Sequence, residues 1–103
     1  MKAGYQLTFF TLQSRRHNGM YITDWLKEIA QQVGILGITI TNASKGLGHD
    51  GIWHSASFFE LADQPLEIIM IADEEACNQL FECLQTENPH LFYTKTTIEY
   101  GMI

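Results

Sequence analysis

The segment Leu66-Glu67-Ile68-Ile69-Met70-Ile71 is apolar at every position but one. Successive side chains of an extended strand point to opposite faces, so this run presents hydrocarbon on both sides. It belongs in the middle of a sheet that is covered on both faces. Phe9-Phe10, within a Phe-, Leu- and Thr-rich stretch from Gln6 to Gln13, makes the same demand. The chain has 103 residues, 46% of them hydrophobic, which suffices for one domain spanning 1-103 and is too little for two. The question is how so short a chain covers two faces of one sheet.

Hydrophobic periodicity supplies the other elements. Gln6–Gln13 reads as the first strand, and Ser14-Arg15-Arg16-His17-Asn18-Gly19 as a polar connecting loop that ends in a turn dipeptide. Ile22, Trp25, Leu26, Ile29, Ala30 and Val33 recur at spacings of three and four, predicting an amphipathic helix stopped by Gly34. Asn18 and Thr23 both suit its N-cap. Ile38-Thr39-Ile40-Thr41 alternates as a second strand, and a glycine-dense loop follows. Ser55 to Leu61 is again extended in pattern, and Pro65 fits a bend or the first position of the next strand.

Asp73 suits an N-cap, with Glu74 and Glu75 in the first turn, where the helix dipole favours carboxylates. Ala76, Cys77, Leu80, Phe81 and Leu84 form the stripe of a second helix. It ends near Thr86-Glu87-Asn88-Pro89, because the residue before proline resists helical geometry. Tyr93–Tyr100 alternates as the last strand. Cys77 and Cys83 fall on opposite sides of the helix and cannot bridge each other there.

This order predicts an α+β fold, the ferredoxin-like βαββαβ sandwich. It has a four-stranded antiparallel sheet, two helices on one face, and a long loop between strands 2 and 3. The helices cover one face only. No element is left for the other, so the pattern predicts self-association through the open sheet face.

Twelve acidic against six basic side chains give a net charge of -6. A dedicated nucleic-acid surface is disfavoured, since it would need nearly every Lys and Arg on one face. The N-terminal residues lack the apolar stretch of a signal peptide. The longest apolar run, Ile68–Ala72, is far short of a membrane span. The expectation is a cytoplasmic protein with no membrane insertion.

The hairpin around Lys45-Gly46-Leu47-Gly48, then His54 and the arm Ser55–Leu61, resembles the PII-like superfamily and, within it, a family of unknown function. That family carries a Gly-apolar-Gly loop followed by a His, a Pro-led central strand and an acidic-capped second helix. The counterparts here are Gly46-Leu47-Gly48, His54, Asp63-Gln64-Pro65-Leu66 and Ile71-Ala72-Asp73-Glu74-Glu75. The resemblance implies a homotrimer with its sheets packed around a central axis, which supplies the missing cover. It also implies a signal-transduction, regulatory role. In PII-type sensors adenine nucleotides sit in intersubunit clefts, between the base of the long loop and the loop before the last strand.

Two departures limit what carries over. PII-type sensors have a Gly- and Lys-rich phosphate-gripping loop before the last strand, where this chain has Asn88-Pro89-His90-Leu91-Phe92-Tyr93-Thr94-Lys95, with no glycine and one lysine. The uridylylated tyrosine of some members has no evident counterpart. The resemblance therefore implies binding of an adenine nucleotide or a small anion without implying the usual grip on ATP.

The candidate ligand-binding residues are Lys45, Gly46, Gly48, His54, His90, Arg15 and Arg16. Glycine-loop amides can hold an anion, Lys45 and the Arg15-Arg16-His17 cluster would add positive charge, and the histidines would be polar or pH-sensitive contacts. The same glycines also fit a hairpin that needs them only for tight turns, and the arginines fit a solvated loop. Leu47 and Trp53 are the candidate contacts for a target protein or transporter met by the 43-55 loop, although Trp53 could equally pack on its own hairpin arm. Trp25, on the helix stripe, is assigned to the core.

Two further readings stay open. His49, Asp50 and His54 have ligand chemistry for a divalent metal, and CutA proteins share the superfamily fold, although no metal site is favoured. Asp50 or Glu60 with His54 can be drawn as the dyad of a small ferredoxin-like enzyme, but no motif stands behind either spacing, so the expectation is not an enzyme, with no catalytic residue assigned.

Overall fold

The computed structural model describes residues 1–43, 45–47, 53–55 and 64–103. Among these, eight strands and two helices run in the order β1 (Lys2–Leu12), β2 (Arg16–His17), β3 (Met20–Tyr21), α1 (Ile22–Val33), β4 (Gly37–Asn42), β5 (Lys45–Leu47), β6 (Trp53–Ser55), β7 (Pro65–Ala72), α2 (Glu74–Glu87) and β8 (Phe92–Tyr100). The main sheet has the order β4-β7-β1-β8 with every pairing antiparallel. β7 therefore lies between β1 and β4, and β1 between β7 and β8. These are the two interlocked split βαβ units of the ferredoxin-like sandwich.

Register fixes which side chains meet the helices. Leu7 stands opposite Met70 and Phe9 opposite Ile68, and all four are fully buried. Ile22, Trp25, Leu26, Ile29 and Ala30 of α1 join them, as do Ala76, Cys77, Leu80 and Leu84 of α2. Trp25 is core, as its place on the stripe predicts. Phe81 is only partly buried and packs on Tyr93 of β8, with ring centroids 4.9 Å apart. Burial pushes the Cys77 thiol pKa up, against an opposing pull from Lys95. Cys77 and Cys83 are both free thiols.

The open face is more mixed than β7 alone implies. Ile69 stands between Thr8 and Thr39, and Ile71 between Gln6 and Gly37. Beyond β1, Thr94 and Thr96 continue this face on β8. Phe10 is half-buried there against Phe92, ring centroids 5.8 Å apart. Edge strand β4 is exposed along its whole length. The helices pack on each other, on β1 and β7, and on the small β2–β3 hairpin, which leaves Ile38 and Ile40 of β4 outside the core.

Local chemistry explains the boundaries and corrects several of them. The first strand starts at Lys2, ahead of its apolar run, because Ala3 and Gly4 pair with Glu99 and Ile98 of β8. A Cβ at Gly4 would stand 2.5 Å from the Ala72 carbonyl oxygen and 2.8 Å from the Tyr100 ring, so only glycine fits this crossing. Neither Asn18 nor Thr23 caps α1. The N-cap is Tyr21, which makes no side-chain cap, and the Ile22 amide donates to the Arg15 carbonyl at 2.9 Å. At the other end Gly34 closes the helix at φ 80°. Asp73 caps α2 as expected, accepting from the Ala76 amide at 2.8 Å, and Pro65 takes the first position of β7. No helix among the described residues is long and apolar enough to cross a membrane.

Candidate functional site

The stretch after β1 is a second hairpin, where the sequence suggests only a loop. Arg16 pairs with Tyr21 and His17 with Met20. Asn18 and Gly19 form the two-residue connection, both with positive φ, at 53° and 79°. Two left-handed residues at the tip define the type I′ turn, whose twist matches the flanking strands, and Asn-Gly is its preferred sequence. That dipeptide was the available signal for a hairpin.

The hairpin reaches across to the end of α2 and the loop before β8. Arg15 Nη2 donates to the carbonyl oxygens of Pro89 and His90, the latter at 3.1 Å. The His17 Nε2 atom lies 3.1 Å from Glu87 Oε1. Asn18 Nδ2 donates to the same oxygen at 2.9 Å. The His17 ring also packs on Trp25 of α1, centroids 4.2 Å apart. Hydrogen bonds from His17 and then Asn18 hold the Glu87 carboxyl below its ordinary pKa.

The gripped loop has an unusual backbone. Asn88 and His90 are both left-handed, at φ 49° and 55°, on either side of Pro89. Pro89 is buried and His90 exposed. Asn88 closes α2, its amide donating to the Leu84 carbonyl at 2.7 Å.

Three of the candidate ligand residues thus meet or adjoin one another. Arg15 contacts the backbone of His90, while Arg16 turns back on its own hairpin. Its guanidinium donates to the Gly19 carbonyl at 3.1 Å and lies 4.2 Å over the Tyr21 ring. The pairings of His17 with Glu87 and Trp25, and of Asn18 with Glu87, have no sequence signature of their own.

At the base of the long hairpin, β5 and β6 pair Lys45 with Ser55, Gly46 with His54 and Leu47 with Trp53. The two candidates Gly46 and His54 are therefore direct cross-strand neighbours. Gly48, His49 and Asp50, and the extended reading of residues 56–61 with Glu60, lie outside the described residues. Among the described residues no group of three His, Cys, Asp or Glu side chains could hold a metal.

An open depression of about 630 Å³ lies at the opposite end of α2, lined by Asp73, Glu74, Glu75 and Glu82 with Lys2 and Tyr100 among its other walls. Four carboxylates against one ammonium make it unsuited to an anion. Arg15 and Arg16 lie elsewhere, at the β2–β3 hairpin.

The DUF190 family, described as Uncharacterized ACR, matches residues 4–100 of the chain. No curated protein matches it. CPII, a nitrogen regulatory PII-like protein from Thiomonas intermedia K12 solved with ADP, AMP and bicarbonate, superposes with a TM-score of 0.73 at 19% identity, covering 97% of this chain and 90% of its own. A protein from Thermus thermophilus assigned as PII-like gives 0.62 at 21% identity, covering 94% and 87%. GlnK of B. subtilis, solved in complex with ATP, gives 0.56 at 13% identity, covering 95% and 84%. At such identities the likeness shows a shared fold.

Proposed function

Since the chain belongs to the DUF190 family and has the PII-like ferredoxin fold, we propose that it is a PII-like regulatory protein. It senses an adenine nucleotide or a small anionic metabolite in clefts between the subunits of a homotrimer. Occupancy decides whether the 43-55 loop docks on or releases a target protein. For this to work as a switch, the ligand must bind the two loop states unequally.

The observation that carries the reading is the match to CPII over 97% of the chain, because CPII is seen with ADP, AMP and bicarbonate. Local geometry supports it at two places. Lys45, Gly46 and His54 sit together at the base of the long hairpin. The loop before β8 is held in a defined shape by Arg15, although it lacks the glycines and lysines that grip phosphates in PII-type sensors. In this reading Arg15 shapes the cleft, while Lys45, the glycine amides, His54 and His90 meet the ligand.

A thermal-shift panel of ADP, AMP, ATP, bicarbonate and divalent metals tests the proposal, because a ligand that binds only the folded state raises its melting temperature. A nucleotide or bicarbonate should raise it, and Lys45→Ala with His54→Ala should remove the shift. A response to metals alone would overturn the sensor reading in favour of a metal-binding one.

A further inference from the structure

Building on the reading that an adenine nucleotide binds between subunits, we propose that the cleft is matched to a nucleotide with a single phosphate and disfavours the triphosphate. The ground for this is where the few cations of the chain go. The sequence has six Lys and Arg side chains. In the symmetric trimer of that reading each cleft draws one copy of every residue, so the supply per chain is also the supply per cleft.

Four of the six are committed elsewhere. Lys2 stands opposite Tyr100, at the end of the sheet remote from the loop that enters β8 at Phe92, and lines the acidic depression with Asp73, Glu74 and Glu75. Lys27 pairs with Asp24 on α1 at 3.4 Å. The Lys95 ammonium lies 4.2 Å over the Tyr5 ring and 5.7 Å from the centre of Phe81, held by aromatic faces. Arg16 is turned onto the Gly19 carbonyl and the Tyr21 ring of its own hairpin. That leaves Arg15 and Lys45. Arg15 directs Nη2 at the Pro89 and His90 carbonyls, and its charge is set against the Glu87 carboxylate that His17 and Asn18 hold. Lys45 is placed opposite Ser55 at the base of the long hairpin.

One phosphate group, with about two negative charges near neutral pH, is matched by this pair. Each further phosphate adds negative charge with no cation assigned to meet it, on a chain whose net charge is already -6. Magnesium lowers the charge of a triphosphate, but protein sites commonly hold that ion through one or two carboxylates. The carboxylate at this loop, Glu87, already accepts hydrogen bonds from His17 and Asn18.

Isothermal titration of the protein with AMP, ADP and ATP, each with and without Mg2+ at one ionic strength, tests the match. AMP should bind, ADP more weakly, and ATP roughly tenfold or more below AMP, the scale of one unmatched charge at a partly exposed site. ATP bound as tightly as AMP in either condition would overturn the charge match and leave the sensor reading standing. No response to any of the three would overturn the nucleotide reading itself, and the match with it. His90 is exposed in the loop before β8, so His90→Lys adds a cation there and should narrow the gap between AMP and ATP. His90→Gln should leave the gap as it is. A gap unmoved by His90→Lys would show that shape rather than charge sets the preference, and would overturn the match.

Discussion

The Nη2 atom of Arg15 lies 3.1 Å from the carbonyl oxygen of His90, across 75 positions of sequence. The same atom also donates to the Pro89 carbonyl, so one guanidinium nitrogen binds two consecutive carbonyls of a loop that has no regular structure of its own. Arginine is suited to this because its donors are held in a rigid plane and its charge strengthens each bond. Arg15→Ala should lower stability by about 1–3 kcal/mol, the range for charged hydrogen bonds to partly buried acceptors. Arg15→Lys should recover only part of that. Urea unfolding midpoints of the three proteins check the order, and equal midpoints would remove the loop-holding role of Arg15.

Glu87 gives a pH signature of its own. Its carboxyl pKa is held low in the folded protein by hydrogen bonds from His17 and then Asn18. A depressed folded value means the contribution is fully present above the unfolded carboxyl pKa, about 4.3. It is lost as pH falls through the lower folded value. The stability gap between wild type and Glu87→Gln should therefore be constant from pH 6 to 5 and close on further acidification. Denaturant midpoints at several pH values between about 6 and 2.5 measure it. A gap that widened with acid would reverse the assigned sign.

Gly4 is a steric test of the sheet crossing. A methyl group there would meet the Ala72 carbonyl oxygen at 2.5 Å and the Tyr100 ring at 2.8 Å. The ring can swing aside, but the carbonyl belongs to the neighbouring strand and moves only with it. Gly4→Ala should cost about 1–3 kcal/mol, the usual cost of overpacking, and should loosen β8 before β7. Thermal unfolding checks the magnitude. Asp73→Ala is the matched control away from the sheet. Loss of its cap bond to Ala76 should cost about 1 kcal/mol and leave β8 unaffected.

Periodicity carried most of the fold. The α1 stripe from Ile22 to Val33, the Asp73 cap and the Pro65 strand start follow from local preferences that tertiary structure did not need to override. Long-range pairing was not legible. Lys2 to Tyr5 belong to β1 because β8 stands beside them, and nothing in Lys2-Ala3-Gly4 signals it. The candidate site divides in the same way. Arg15 and His90 were named separately for their chemistry, but the carbonyls that Arg15 holds have no side-chain signature. Glu87 read as a fraying helix end, yet it accepts two hydrogen bonds from a hairpin that lies 69 and 70 positions away.

The open sheet face offers the decisive test of assembly. Ile69 is half-buried between Thr8 and Thr39, on the face of the sheet opposite α1 and α2. If three copies pack through this face, each Ile69 buries only the part of its surface still exposed, on the order of 1 kcal/mol, and a lysine there would bury an unpaired ammonium at greater cost. Ile69→Lys should therefore convert a trimer into monomers with an unchanged circular dichroism spectrum, since the helix face behind it keeps its own core. Each copy carries a net charge of -6, so the wild-type trimer should also tighten as salt screens the mutual repulsion. Sedimentation velocity at two salt concentrations reads both effects. A wild-type protein that sediments as a monomer in each would remove the intersubunit clefts and, with them, the proposed ligand site.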